Sequence, residues 1–383
     1  MSFFSRADNS VASRWWWEVD RWMLGLIAIL VMTGLWLAFT ASPAVAMRLG
    51  LDPNHFAMRQ LVFLVLSMVT VVGVSLMPPK LIKRLCIIGF PVLLLLLVLT
   101  LFTQDIKGAR RWLQLGGLTL QPSEFMKPVF IVVTAWLLSA DFQEDKIPAK
   151  WISTALFAVL AVILLNQPDV GQTVLLGSVW LGQMALAGLP LGYMVLLGSV
   201  GATGLLGAYL FLPHVAERIN TFIDPESGDT FQVRKATEAF ENGGLLGRGP
   251  GEGTEKLTLP DAHTDFILAV VGEEFGAIAV VMLMILFAAI VLRGLMHMLD
   301  EDDPFRLLAA AGLLMQFGVQ ALINIGVNLS ILPSKGMTLP FVSYGSSSML
   351  ALAGGMGMVL AFTRRNRFLK QGRHSFDVAG GRI

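Results

Sequence analysis

The side chains able to do ionic chemistry are few in this sequence and fall into short clusters. Glu124 and Lys127, three residues apart, share one face of a helix, where they can neutralise each other or present a charge pair to a ligand. Asp169, in the turn that follows Asn166, Gln167 and Pro168, is placed to accept backbone N–H bonds as a helix cap, a role that leaves room for a second one. Lys107, Arg110 and Arg111 form a compact cationic group. Asp265 follows Asp261, His263 and Thr264 at the start of an apolar run, where it is expected to open a helix. Glu273 lies eight residues further on, and at about 100° per residue it returns to within about 80° of Asp265, on nearly the same face, with Glu274 one step further round. Carboxylates of this kind transfer protons, and clustered cations hold an anionic group. His263 with Asp261, Asp265 and Glu273 carries the donor atoms for a metal but not the spacing of a ligand motif, so a dedicated protein metal site is not expected.

What must position these residues is a scaffold in lipid. Hydrophobic residues make up 55% of the 383, with 38 glycines besides, and charged residues only 14%, against about 25% in soluble domains. The formal net charge of +1 excludes a strongly basic nucleic-acid binder, and a single cysteine, Cys86, excludes an intrachain disulfide or a cysteine metal cluster. Glu18 and Asp20 make the N-terminal stretch too polar and acidic for a cleaved signal peptide, so the first apolar run reads as a retained anchor.

A bilayer core of about 30 Å takes roughly 20 helical residues. Ten apolar stretches of that order run over 22–42, 60–77, 81–102, 122–140, 151–167, 170–188, 190–212, 266–292, 305–332 and 340–363. The fold class is therefore all-α, a polytopic membrane protein of about ten transmembrane helices. Lys80, Lys83 and Arg84 in a tight loop, and the basic tail, mark the cytoplasmic side. The chain divides into a cytoplasmic N-terminal tail (1–21), a ten-helix membrane domain (22–363) with a large extracytoplasmic loop (213–265) between spans seven and eight, and a basic cytoplasmic tail (364–383). Lys107, Arg110 and Arg111 then lie in a short external loop, where cations should be scarce. Binding an anionic, membrane-embedded group explains that position better than anchoring at the headgroups does.

Two loop segments carry further signals. The glycine-rich run from Gly243 to Gly253, followed by Lys256, is neither a Walker loop nor a dinucleotide fingerprint. Its glycines suit a backbone that approaches a ligand or another chain closely. Pro333, Pro340 and the polar run Ser343 to Ser348 suit a re-entrant or cavity-lining entry to the last span. Gly198, Gly201, Gly204 and Gly207 in span seven, and Gly354, Gly355 and Gly357 in span ten, read as close helix-packing contacts.

Taken in order, the segments Lys107–Trp112, Pro122–Lys127, Gln167–Gly171, the glycine-rich run to Lys256, Leu259–Ile267 with Glu273 and Glu274, and Leu339–Gly345 resemble the motifs of the SEDS (shape, elongation, division, sporulation) family, across spans one to ten. Asn324–Asn328 followed by Leu332–Pro340 resembles its division branch rather than its elongation branch. Ser346 stands where the family has a second glycine, a departure that bears on local backbone geometry.

The resemblance implies a peptidoglycan glycosyltransferase that polymerises lipid II at the outer face of the cytoplasmic membrane during septal wall synthesis. It implies Asp265 as the general base. Lys107, Arg110, Arg111, Lys127 and Lys256 become candidates for holding the diphosphate, Asp169 and Glu273 orienting or metal-assisting groups, and Glu124, His263 and Ser343 further substrate contacts. It implies no built-in cofactor, a divalent cation (Mg or Mn) being compatible with the leaving charge. Its expected partners are a single-span class B penicillin-binding protein supplying transpeptidation, other divisome membrane proteins and membrane lipid, at the division septum. A lipid II flippase, an elongation polymerase and a scaffold for the penicillin-binding protein are the competing readings. The first would use broken helices and intramembrane charge equally well.

Overall fold

Prolines and short acidic side chains set many of the helix starts. In the computed structural model, which describes residues 10–103, 110–116, 118–140, 148–224, 231–333 and 336–364, a short helix α1 (Val11–Glu18) precedes α2 (Arg21–Arg48), whose first turn is capped by the Asp20 carboxylate. Then come α3 (His55–Leu76) and α4 (Pro79–Thr100), followed by a two-stranded antiparallel hairpin, β1 (Leu113–Leu115) and β2 (Leu118–Leu120). Helices α5 (Pro122–Ala140), α6 (Ala149–Asn166), α7 (Val170–Leu186) and α8 (Leu191–Phe211) follow. Proline opens α4 and α5, where its missing N–H is no loss.

The long loop after α8 is itself structured. It holds α9 (Pro213–Ile223), α10 (Phe231–Gly243) and a 3-10 turn at Glu255–Leu257. The chain ends in α11 (Ile267–Met298), α12 (Pro304–Asn328) and α13 (Ser346–Phe362).

Eight of these helices, α2 to α6, α8, α11 and α12, are long and apolar enough to cross a membrane, and α7 and α13 are shorter apolar helices. All ten lie where the apolar runs predicted spans. The last begins later than expected: residues 336–345 are not helical, and Phe341 and Val342 are buried in the bundle. This segment threads between α2 and α3. A Cβ on Gly34 would stand 2.1 Å from the Phe341 carbonyl, and Gln60 donates to the Val342 carbonyl at 3.0 Å. Non-helical backbone is thus shielded by protein, as a lipid environment demands.

Two sets of contacts define the ends of the bundle. At one end, Asp20 takes both guanidinium donors of Arg293 at 2.8 and 2.9 Å, tying the start of α2 to the last turns of α11, and Arg364 donates to the Met77 carbonyl. At the other, Arg48 reaches the Thr258 and Leu259 carbonyls, Gln121 N donates to Ser347, and Ala269 N donates to Asn328. Every candidate functional residue that the structure describes belongs to this second end.

The helices differ in how far they are enclosed. α5 and α12 are the most enclosed of the long helices, whereas α8 has a single buried residue, Ala208. That corrects one expectation: a Cβ on Gly198, Gly201, Gly204 or Gly207 would meet nothing within 4 Å, so these glycines pack no neighbour. Gly357 does, lying 2.8 Å in Cβ terms from the Val74 side chain and 2.9 Å from the Val71 carbonyl.

α11 is two helices in one. At Gly276 the backbone leaves helical geometry (φ 78°, ψ 176°), and the groups freed there are taken up by the glycine-rich loop. Ala277 N and Ile278 N donate to the Gly244 and Leu245 carbonyls, while Arg248 N and Gly249 N donate to the Glu273 and Glu274 carbonyls. Four backbone groups that a helix break would strand are thereby paired. The approach is so close that a Cβ on Gly243 would fall 1.9 Å from the Gly272 carbonyl. The close backbone approach expected of this loop is its docking onto α11.

Replacing Gly276 by Val forces a branched residue to positive φ and into the Leu245 carbonyl. The backbone strain alone costs on the order of 1–3 kcal/mol, and the melting temperature of the detergent-purified protein is expected to fall by several degrees. Gly354→Ala, whose Cβ meets open space, is the control and is expected to melt with the parent.

Candidate active site

The charged chemistry at the loop-rich end is arranged in three connected groups. The first runs through the interior between α5, α7 and α12. Lys127, 2% exposed, sits 2.9 Å from Glu124 Oε2 and donates to Gln320 Oε1 at 3.1 Å. The other Glu124 oxygen accepts from Gln172 Nε2 at 2.7 Å. The i,i+3 pair predicted from spacing is present, closed and sealed from water.

At the outer edge of this group, Asp169 accepts from Gln172 N at 3.4 Å, the capping role expected of it, and stands 3.6 Å from Arg111 Nε. Arg111 also donates to the Gln167 carbonyl at 3.1 Å and to the Pro168 carbonyl. Arg110 is exposed, with one contact to the Leu101 carbonyl. Arg218 of α9 faces the same place: desolvation and the Arg111 guanidinium hold its pKa below the ordinary arginine value, and Asp169 and Glu217 pull it back. Lys107 lies outside the described residues.

The second group surrounds Asp265. This residue does not open a helix; it closes an irregular turn, and α11 begins two residues later at Ile267. Glu273 is therefore not its partner on a helical face. Instead, two carboxamides of α12 hold the Asp265 carbonyl, Asn324 at 2.9 Å and Asn328 at 2.8 Å. Asn324 also donates to the Met337 carbonyl at 2.7 Å. The Asp265 carboxylate lies against Gly336, where a Cβ would come within 3.2 Å of its Oδ2.

His263 is buried, its ring packed against Phe56 and Tyr344 at centroid distances of 4.8 and 5.4 Å, and its carbonyl accepts from Tyr344 N. Ser343 is buried too and accepts from Leu339 N at 2.8 Å, which fixes a turn of the re-entrant segment.

The third group holds the glycine-rich loop. Glu273, fully buried, accepts from Thr254 N at 2.7 Å and Glu255 N at 3.0 Å, with Arg248 4.0 Å away. Lys256 donates to the Thr40 carbonyl at 3.2 Å, the Gly251 carbonyl at 3.0 Å and the Glu274 carboxylate, which uses all three of its protons. On the loop's outer side, Lys235 is raised above the ordinary lysine value by the hydrogen bonds it donates to Glu238 and Glu255. Glu273 and Lys256, expected near the reacting groups, are thus committed to the loop.

The first two groups are linked by residues that the sequence reading did not single out as a site. Gln320 bonds Lys127 on one side and the Thr338 carbonyl, at 3.1 Å, on the other. Asn324 and Asn328 continue the same stripe. Buried Gln316, Gln320, Asn324 and Asn328 recur every four residues, a ladder of carboxamides on one face of an apolar helix that is visible in the sequence by its period. Arg59, exposed at the mouth and hydrogen-bonded to Tyr344, is a further cation there. Among the described residues no group of three or more His, Cys, Asp or Glu is arranged to hold a metal ion.

A half-buried carboxylate held by its backbone, an internal cation and a rim of arginines are groups that can move a proton and receive an anion. The model of the FtsW, RodA and SpoVE family, described as cell cycle proteins, matches residues 20–368. The probable peptidoglycan glycosyltransferase FtsW of Caulobacter vibrioides is 44% identical over 364 residues, which cover 94% of this chain and 93% of that protein. The protein of the same description from Hydrogenovibrio crunogenus is 34% identical, covering 95% and 96%. Of solved structures, a chain of a peptidoglycan synthase complex that coordinates polymerization and crosslinking superposes with a TM-score of 0.72 at 27% identity, covering 90% of this chain and 97% of its own. The rod shape determining protein RodA of Thermus thermophilus gives 0.68 at 26%, covering 91% and 97%.

Removing the charge of Glu124 while Lys127 stays buried is expected to cost about 3–5 kcal/mol, the penalty for orphaning one member of a buried pair. Thermal unfolding of Glu124→Gln in detergent should show the loss, and adding Lys127→Met should restore part of it.

Proposed function

Because the chain belongs to the FtsW, RodA and SpoVE family of cell cycle proteins, we propose that it polymerises lipid II into glycan strands at the outer face of the cytoplasmic membrane, with Asp265 as general base. It is a multi-pass membrane protein and a peptidoglycan glycosyltransferase of cell division. The observation that carries the residue assignment is where the carboxylates lie: Glu124, Asp169, Glu273 and Glu274 are buried, whereas Asp265 is half-buried at the mouth, in reach of a bound sugar.

In this reading the acceptor sugar hydroxyl gives its proton to Asp265 as its oxygen attacks the anomeric carbon of the donor. The bond from that carbon to the diphosphate oxygen breaks, and undecaprenyl diphosphate leaves with the electron pair. Its charge falls to Arg110 and Arg111, whose planar guanidinium groups suit phosphate oxygens, and to Lys107 of the same segment. Lys127 supports from below as a fixed internal charge, while Lys256 acts through the loop it anchors. A divalent cation such as Mg or Mn, bound with the diphosphate, would lower its charge further.

Ten spans with both termini cytoplasmic put this end outside, and the septum is the place of action. A class B penicillin-binding protein is the proposed crosslinking partner, in line with the synthase complex that the fold resembles; other divisome membrane proteins would gather round the pair.

Purified protein given lipid II only on its outer side should form long glycan, and Asp265→Asn should reduce that by at least about a hundredfold, the contribution a general base makes, with an unchanged melting temperature. Full activity in Asp265→Asn would overturn the assignment. Transbilayer movement of lipid II without polymer would favour a flippase instead.

A further inference from the structure

We infer that Asn324 and Asn328 are positioning residues for Asp265: the two carboxamides set the base by its own main chain and tie its height in the site to that of Lys127. The inference rests on Asp265 being the general base, and goes beyond it.

Two side chains one helical turn apart donate to the same peptide oxygen, that of Asp265, at 2.9 and 2.8 Å. Asp265 lies in an irregular turn with no helical ladder of its own to fix it, so these bonds are the structure's hold on its backbone from the α12 side. The pair is braced in turn. Asn328 Oδ1 accepts from Ala269 N at 3.2 Å, which locks the first turn of α11, and Asn328 Nδ2 also reaches the Asn324 carbonyl at 2.9 Å. Asn324 holds the Met337 carbonyl, and one residue along, Gln320 holds the Thr338 carbonyl while its oxygen takes the Lys127 ammonium. A rigid rod, the last two turns of α12, thus carries the base at one end and the internal cation at the other. The re-entrant segment is pinned between them, and its Gly336 closes on the Asp265 carboxylate from the opposite side. A general base loses effectiveness with small displacements, which gives such a rod a use that packing alone does not.

The experiment is lipid II polymerisation by the full-length protein with Asn324→Ala and Asn328→Asp, assayed below the melting temperature that each variant shows in a thermal melt. Expected are a fall in kcat of about 10- to 100-fold and a KM for lipid II within twofold of the parent. Asn328 also caps α11, so where Asn328→Asp fails to fold, Gly336→Ala serves as the second variant. Its Cβ presses on the Asp265 carboxylate without touching α12, and it should lower kcat in the same way. Parental kcat in Asn324→Ala would overturn the inference, as would a loss of activity that lies in KM for lipid II with kcat unchanged. Asp265→Asn, run in parallel, separates the two levels: if it stays active the base assignment fails, and if it is inactive while Asn324→Ala is fully active only the positioning role fails.

Discussion

A charge enclosed by apolar helices has to be satisfied by protein, because neither water nor lipid will do it, and much of this architecture follows from that requirement. An unpaired polar group in hydrocarbon costs several kcal/mol. Lys127 meets the requirement with one carboxylate and one carboxamide, Glu124 with Lys127 and Gln172, and Lys256 with two carbonyls and Glu274. Each solution draws on a different pair of elements. The ionic groups therefore act as rivets: α5 to α7 and α12, the glycine-rich loop to α2 and α11. Helix packing in a membrane lacks a hydrophobic drive between helices, and these polar rivets fix which helix meets which.

The break in α11 extends the same logic to the backbone. Gly276 frees backbone groups in the middle of a long apolar helix, and the loop from Gly244 to Gly249 satisfies them in register, as a strand would. Glu273 and Glu274, just before the break, then hold Thr254, Glu255 and Lys256. Glu273, which the resemblance offered as an orienting or metal-assisting group, and Glu274 beside it are the anchorage of the glycine-rich loop. Because the loop is fixed, the turn from Leu259 to Phe266 is spanned between two rigid points, and Asp265 is presented at its end.

The helices, the Glu124–Lys127 pair and the Asp169 cap were legible from the sequence because each depends on neighbours within one turn: a run of apolar residues, an i,i+3 spacing, a carboxylate before a helix. The place of Asp265 outside α11 was not, since the apolar run from Phe266 onward gives no sign of where the helix begins, and Asn324 and Asn328, some 60 residues away in sequence, decide it. Lys256 was read as available for the same reason, its carboxylate partner lying 18 residues away across a loop. The glycines of α8 show the opposite error. A small-residue stripe is necessary for close helix packing but is no sign of it, and here no helix comes near enough to use the stripe.

This sorting of charges bears on how an anionic leaving group is received. Lysines in the interior are held by protein: Lys256 gives all three protons to protein acceptors and Lys127 bonds Glu124 and Gln320, and freeing either would leave a buried carboxylate without its counter-charge. The arginines are placed differently. Arg59, Arg110 and Arg218 are exposed, and Arg111, half-buried, is bonded mainly through backbone carbonyls. A guanidinium has five donors in a plane, so it can keep a structural bond to a carbonyl and still offer an edge to phosphate, which an ammonium with three committed protons cannot. Arg111 and Arg218 also repel each other beside Asp169, with Glu217 near Arg218, and a diphosphate arriving there would relieve that repulsion. The division of labour follows from burial: lysines set deep in the fold hold it together, and arginines at its rim keep donors at the surface.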